Sequence, residues 1–398
     1  MKKLEDYKWI CPDVFTNVHV AITGVMKPCC AMNHEPEMDK YLKEYEICNI
    51  KDTSFWEYYN SDIATRLRNA MRNENDDEFV NSFCAKCKKI ESVGNQSLRL
   101  FTFHRFNNEF KHKKEELEKI IAEDIKPTFL HSMEVKPLET NKCNLACNMC
   151  CNESSSRYYA EAIRLKEVPK ANTIIRTPVS DKFMNELPEI VDLTEEIKIV
   201  GGEPLMNEDT YELISLVENK SNKRLKIISN GTINPDRFIS LATRFKEVDF
   251  NISVEGTPAL TEYIRFPSKW KDVEETYNKV IKVAKIYFVS TVNCLNIGNM
   301  HEFEEFMESN GYLYANVNLV TNNFYSINSI PDDIKNLYLN RLYKAKNVKM
   351  IKYLEDSKYN EFDMWQMLAH VKRRDGFRKT NLLDVLPEWK PYYDQVKV

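Results

Sequence analysis

The chain has 398 residues, 43% of them hydrophobic and 29% charged, with a formal net charge of −4. That length can bury a large core, with room for one barrel-sized domain and something smaller. The mild acidity gives no electrostatic case for nucleic acid or an anionic membrane as partner. No apolar run approaches a membrane span, and no apolar segment follows the charged start Met1-Lys2-Lys3, so the sequence predicts a cytoplasmic protein.

Eleven cysteines in such a chain point to metal or redox chemistry rather than to a disulfide framework. Six come early (Cys11, Cys29, Cys30, Cys48, Cys84 and Cys87), four cluster at Cys143, Cys147, Cys150 and Cys151, and Cys294 stands alone. Residues 1–90 form a first unit. Strand-like Asn17–Ile22, a turn at Thr23-Gly24 and the run Val25–Cys30 read as a hairpin, with one cysteine before it and a pair after it. A helix is expected from Phe55 to Asn73, and the unit closes on Cys84-x2-Cys87. A cysteine ahead of the hairpin, one at its end and a distant C-x2-C would complete a four-thiolate site. Spacing alone leaves zinc and iron–sulfur both open. Cys30 and Cys48 read as buried small residues.

Residues 91–130 form a linker containing a mixed-charge helix near Lys111–Ile121. From 131 to 320 strand and helix alternate. Strands are predicted at Ser132–Lys136, Glu196–Val200, Arg224–Ser229, Val248–Val254, Ile286–Val292 and Tyr314–Leu319, with helices at Asp209–Glu218, Asp236–Phe245 and Met300–Ser309 between them. Six β/α repeats predict an α/β fold, a parallel sheet curled into a partial (β/α)6 TIM-like barrel, behind a small N-terminal α+β domain. Residues 152–195 are long for one connection and are expected to form an insertion over the barrel mouth. Residues 321–398 read as a helical tail. In it, Lys372–Lys379 is expected to be a solvated basic face, and Trp365, Trp389, Tyr392 and Tyr393 to anchor the tail.

The chemical motifs fall at the C-terminal ends of predicted strands, where such barrels bind ligands. After the first strand, Cys143, Cys147 and Cys150 form C-x3-C-x2-C on one tight loop. Four cysteines would saturate a [4Fe–4S] cube, whereas three leave one iron open, as catalysis requires. A closed knot that adds Cys151 is the alternative, although Cys151 is expected to point away from Cys150. After the second strand comes Gly201-Gly202-Glu203-Pro204, where paired glycines permit close backbone approach and the carboxylate suits an ammonium group. After the third comes Ser229-Asn230-Gly231-Thr232, with short polar groups for a carboxylate or a sugar, or simply a turn. Cys294 reads as buried, and Asn316–Asn328, with Phe324 and Tyr325, as either a substrate-cavity lining or a polar loop. The seven histidines show no ligand pairing.

The cysteine loop followed by the Gly201–Pro204 stretch resembles the signature of the radical S-adenosylmethionine (radical SAM) enzymes. The resemblance implies that Cys143, Cys147 and Cys150 hold a [4Fe–4S] cluster whose open iron is chelated by S-adenosylmethionine. One electron then cleaves that cofactor to methionine and a 5′-deoxyadenosyl radical. It further implies that Gly201, Gly202, Glu203 and Pro204 hold the cofactor's amino group. Ser253 and Glu255 would contact its ribose and methionyl end, Ser229 and Asn230 would offer further polar contacts to the cofactor, and Arg265 would pair with its carboxylate through a guanidinium fork. Asn293 would border adenine, and Met149, often aromatic in the family, would pack against it through a thioether. Aspartate is the frequent residue where this chain has Glu255.

Cys11-x12-Gly24-x4-Cys29, followed by Cys84-x2-Cys87, is similar to the twitch/SPASM accessory domains of the same family, with Cys48 where glycine is usual. This implies one auxiliary [4Fe–4S] cluster on Cys11, Cys29, Cys84 and Cys87, in a domain that precedes the core. Glu91, Gly94, Ser97 and Arg99 resemble the family's bridging segment. A fully ligated auxiliary cluster favours electron relay. The expected reaction is therefore hydrogen abstraction from an unidentified peptide or small molecule, then oxidation or bond formation, with flavodoxin or ferredoxin as reductant. The alternatives are a non-catalytic iron–sulfur carrier or scaffold on the same fold, and a zinc-stabilised binding protein.

Overall fold

The computed structural model describes residues 2–32, 48–92, 96–135, 140–320 and 323–397. Gly94 and Lys136 lie outside the described residues, as do two positions of the loop 316–328. Eight strands form: β1 (Asn17–Val20), β2 (Met26–Lys27), β3 (Ser132–Val135), β4 (Glu196–Ile199), β5 (Arg224–Ser229), β6 (Glu247–Ser253), β7 (Lys285–Val292) and β8 (Tyr314–Leu319). Their order in the sheet is β2-β1-β3-β4-β5-β6-β7-β8. The six strands predicted for the repeats are β3 to β8, and the expected helices follow them at Glu208–Leu216, Asp236–Ala242 and Met300–Ser309. The stretch expected as a loop from Asn316 begins as the second half of β8.

By contacts the chain divides into two compact units. One comprises Met1–Thr140, Arg176–Lys226 and Leu241–Val248; the other comprises Asn141–Ile175, Ile227–Ser240 and Asp249–Val398.

In the first unit β1 and β2 pair antiparallel as the hairpin, and β1 also pairs with β3 in parallel, Val18 opposite Met133. The hairpin is thus an extension of the sheet, because Val18 and Val20 find in Met133 and Val135 neighbours as apolar as themselves. The expected helix from Phe55 is two helices, Phe55–Tyr59 and Asp62–Asn73. Each has its own cap: Ser54 forms a capping box with Glu57, and Ser61 accepts from the Ala64 amide. The core gathers Phe15, Phe79, Phe83, Phe106, Phe110 and Phe129, all buried. Each such ring contributes about 1.5–3 kcal/mol over an exposed one.

In the second unit β6 pairs with β7 and β7 with β8, all parallel. Along β7, Ile286, Phe288, Ser290 and Val292 are buried, alternating with more exposed residues, the two-residue period of a strand. The helix Trp270–Val280 buries Trp270, Val273, Thr276 and Val280 on one stripe and stacks Trp270 on Phe288 at 6.0 Å. In the tail, buried Trp389 donates to the Tyr338 hydroxyl at 3.0 Å, and Tyr393 donates to Asp375 at 2.8 Å.

One tail expectation is overturned in part. Lys372–Lys379 is a solvated face only in part: Arg373 and Lys379 are exposed, but Arg374 is 1% exposed, and only 2% of the Arg378 side chain reaches solvent. Both lie in the helix Glu361–Arg378, four residues apart, and turn to the same side. Among the described residues no helix is long and apolar enough to cross a membrane.

Candidate iron–sulfur sites

The loop from Cys143 to Cys150 is pinned at several points within the second unit. The Ala146 amide donates to Phe266 O at 2.7 Å and the Asn148 amide to Ile264 O at 2.8 Å. Ser155, which caps the helix Ser156–Arg164, also donates through its hydroxyl to Leu145 O at 2.5 Å. Asn144 lies between two residues of the third strand-end motif, donating to Thr232 Oγ1 at 2.8 Å and accepting from Asn230 Nδ2 at 2.8 Å. The polar turn Ser229–Thr232 therefore supports the cysteine loop directly.

The three thiols come within electrostatic reach of one another. Burial pushes the Cys150 thiol well up, and Cys147, Cys151 and Cys143 add to the rise. Burial also raises Cys147, against the opposing charges of Arg265 and Arg378. Cys151 is exposed and donates through its thiol to Ser154 Oγ at 3.3 Å. Among the described residues no three Cys, His, Asp or Glu groups converge where a single ion would sit. A cluster instead takes its thiolates at separate irons, which suits three thiols spread along one loop.

Arg265 and Glu255 are bound to each other. Glu255 is fully buried; its Oε1 accepts from Arg265 Nη2 at 2.6 Å and Nε at 3.0 Å, and its Oε2 from the Thr291 amide at 3.0 Å. Burial pushes this carboxyl up, with Arg265 opposing. Burial also works against the Arg265 charge, but Glu255 and Cys147 outweigh it and raise that group. The remaining arm, Nη1, donates to Cys147 Sγ at 3.9 Å. Thus the fork expected for a cofactor carboxylate already holds an internal carboxylate and a cluster cysteine. Asn293 is fully buried and closes a turn: its Oδ1 accepts from the Leu295 amide at 2.9 Å and its Nδ2 donates to Thr291 O at 2.9 Å. Ser229 and Asn230 are buried, whereas Ser253 and Met149 are half-buried. Cys294 is buried, and burial raises its thiol.

In the first unit Gly201 and Gly202 take φ of 92° and 49°, backbone that favours glycine. Glu203, fully buried, caps the following turn by accepting from the Leu205 amide at 3.1 Å. The four early cysteines meet: Cys11, Cys29, Cys84 and Cys87 line one cavity, together with Asp13, Lys86 and Arg99. Cys30 is exposed and does not line it, and Cys48 lines a different one. Burial raises Cys11 and Cys29, with Asp13 and the other thiols adding, and pushes Cys84 up to about 12. Four thiols on one cavity with two cations beside them fit an anionic, fully ligated cluster. Asp13 is anchored from behind, accepting from His131 Nε2 at 3.0 Å and from Thr102 Oγ1 at 3.2 Å. Arg99, given no chemistry from sequence, lies over the Trp9 ring at 4.0 Å and pairs with Glu91 at 2.5 Å.

A largely parallel sheet with cysteine sets of this kind suits an iron–sulfur protein, and comparison with known proteins gives its class. Residues 139–309 match the model of the radical SAM superfamily, and residues 11–88 match SPASM, an iron-sulfur cluster-binding domain. The two matches together are those of a radical SAM enzyme with an auxiliary-cluster domain, which here lies ahead of the core match. The protein is an enzyme whose cofactors are S-adenosylmethionine and [4Fe–4S] clusters, and it cleaves S-adenosylmethionine.

A protein of Methanocaldococcus jannaschii named as a probable GTP 3′,8-cyclase is 26% identical over 273 residues, 62% of this chain and 86% of its own. Molybdenum cofactor biosynthesis protein 1 of Homo sapiens is 26% identical over 166 residues; the match spans 42% of this chain and 24% of that protein. Among solved structures, native anSMEcpe with bound AdoMet and Cp18Cys peptide aligns with a TM-score of 0.39 at 14% identity, over 60% of this chain and 65% of that one.

Proposed function

We propose that this enzyme abstracts hydrogen from an unactivated C–H of a peptide or small molecule, and that the auxiliary cluster then serves as electron relay for oxidation or bond formation. The supporting observation is the shared cavity of Cys11, Cys29, Cys84 and Cys87: four protein thiols leave no iron open to substrate. When bound, the cluster on Cys143, Cys147 and Cys150 together with S-adenosylmethionine supplies the 5′-deoxyadenosyl radical. The chain's own part is to bind, orient and exclude water.

In this reading the Ser229–Thr232 turn holds the cysteine loop rigid through Asn144, and the Arg265–Glu255 pair keeps a guanidinium against Cys147. Gly201–Pro204 retain the amino-group role that the family resemblance implies. Ser253, Met149 and Asn293 belong to the cofactor's sugar and base side. The N-terminal 90 residues act as the auxiliary domain, residues 91–130 as linker, 131–320 as the core and 321–398 as its extension. The enzyme works in the cytoplasm, with flavodoxin or ferredoxin as reductant. GTP is the first small molecule to try, since curated relatives are named for that substrate.

The test is anaerobic reconstitution followed by S-adenosylmethionine and dithionite. The parent and Cys84→Ala should both release 5′-deoxyadenosine, while Cys147→Ala should release less than about 1% of the parent amount. With a deuterated substrate drawn from GTP and candidate peptides, label should enter 5′-deoxyadenosine in both active forms, but only the parent should complete the oxidised or newly bonded product. A parent that releases no 5′-deoxyadenosine, or a Cys84→Ala variant with undiminished product, would overturn the reading.

A further inference from the structure

The helix Glu361–Arg378 lies beyond residue 309, where the radical SAM match ends, yet it reaches the catalytic loop. His370, Arg374 and Arg378 recur every four residues and so share one helix face. Arg374 donates Nη1 and Nη2 to the two oxygens of Glu167, both at 2.8 Å, and its Nε lies 3.1 Å from Glu161 Oε1. Arg378 donates Nε to Glu161 Oε2 at 2.9 Å and Nη2 to Glu161 Oε1 at 2.7 Å. Its outer arms go to the cysteine loop: Nη2 to Ala146 O at 2.5 Å and Nη1 to Asn148 Oδ1. Its guanidinium also lies over the Phe266 ring at 4.9 Å. Ala146 and Asn148 flank Cys147, whose thiol accepts from Arg265 at 3.9 Å.

We propose that Arg378 is a positioning residue for the catalytic cluster: it fixes the Cys147 segment of the loop and, with Arg265, sets the electrostatic potential at that corner. The proposal rests on the reading of Cys143, Cys147 and Cys150 as the cluster ligands. A cluster gains negative charge on reduction, so nearby positive charge favours its reduced form. Arg373 also pairs with Glu167, at 3.3 Å, so Arg373, Arg374 and Arg378 face Glu161 and Glu167 as three positive charges against two negative. Removing Arg378 therefore makes the group less positive, whereas neutralising Glu161 makes it more positive. A purely structural helix contact would not produce shifts of opposite sign.

The experiment is an anaerobic redox titration of the reconstituted full chain, read by electron paramagnetic resonance with and without S-adenosylmethionine. At the potential where the parent is half reduced, Arg378→Gln should lower the reduced-to-oxidised ratio about tenfold, which for one electron is about 59 mV. Glu161→Gln should move it the other way, and Arg378→Lys, which keeps the charge, should stay within about twofold of the parent. Arg378→Gln and Glu161→Gln that retain parent iron content and leave the ratio unmoved, or move it in the same direction, would overturn the proposal. Should Arg378→Gln not fold, the direction of the Glu161→Gln shift decides alone. The titration needs no turnover, so a parent that releases no 5′-deoxyadenosine would count against the proposed function and leave this measurement readable.

Discussion

Gly231 has φ of +71°, and a Cβ there would meet Ile252 Cγ2 at 2.7 Å. Its neighbours Asn230 and Thr232 hold Asn144 of the cysteine loop. Gly231→Ala is therefore expected to cost about 1–3 kcal/mol in backbone strain and contact. It should also weaken iron retention, both checked by urea unfolding beside iron analysis. A short polar turn with a glycine was legible at this place in the sequence, because turn chemistry is local. That the turn's amide would support Asn144 was not, since the two residues are 86 positions apart. Arg265 shows the local counterpart. Its fork was legible as a carboxylate binder, but the carboxylate it holds is Glu255, only 10 residues back and just past β6.

The helix Glu361–Arg378 shows what a charge run conceals. Its basic stretch reads as solvated because one sequence does not reveal partners, and the Glu161 that neutralises Arg378 is 217 positions away. The four-residue spacing puts Arg374 and Arg378 on the side of His370, but spacing does not say what that side faces. His370 has both ring nitrogens within hydrogen-bond distance of tyrosine hydroxyls, Tyr158 at 2.9 Å and Tyr325 at 2.7 Å. Burial, helped by Arg374, Arg378 and Arg373, pushes it down to about 2. A histidine depressed in the fold contributes stability that is fully present above its ordinary value near 6.5 and is lost as pH falls from there toward the depressed one. His370→Gln should therefore flatten the acid limb of a stability–pH profile below pH 6.5, by up to about 1.4 kcal/mol per pH unit, one proton's worth. Gly376, in the same helix, is exposed, with nothing within 4 Å of an added Cβ. Gly376→Ala should stabilise the protein by about 0.5–1 kcal/mol in denaturant titrations.

Across the whole molecule each compact unit carries one cysteine set, Cys11, Cys29, Cys84 and Cys87 in the first and Cys143, Cys147 and Cys150 in the second. Burial raises the thiols of Cys11, Cys29, Cys84, Cys147 and Cys150, so binding iron means releasing protons from groups that the apo fold keeps neutral. Clusters that bind the folded chain and not the unfolded one stabilise it by mass action. Stripping iron should lower the melting temperature by at least about 5 °C, and the loss should be smaller in Cys84→Ala, which has less cluster to lose. The strands β3 to β8, the helices between them and both cysteine sets were determined by the sequence alone, because period and spacing act over a few residues. Only the tertiary structure decided that Asn230 and Thr232 hold Asn144, and that a helix from the far end of the chain holds the catalytic loop. Burial and ion pairing join segments that the linear order keeps far apart, so nothing local announces them.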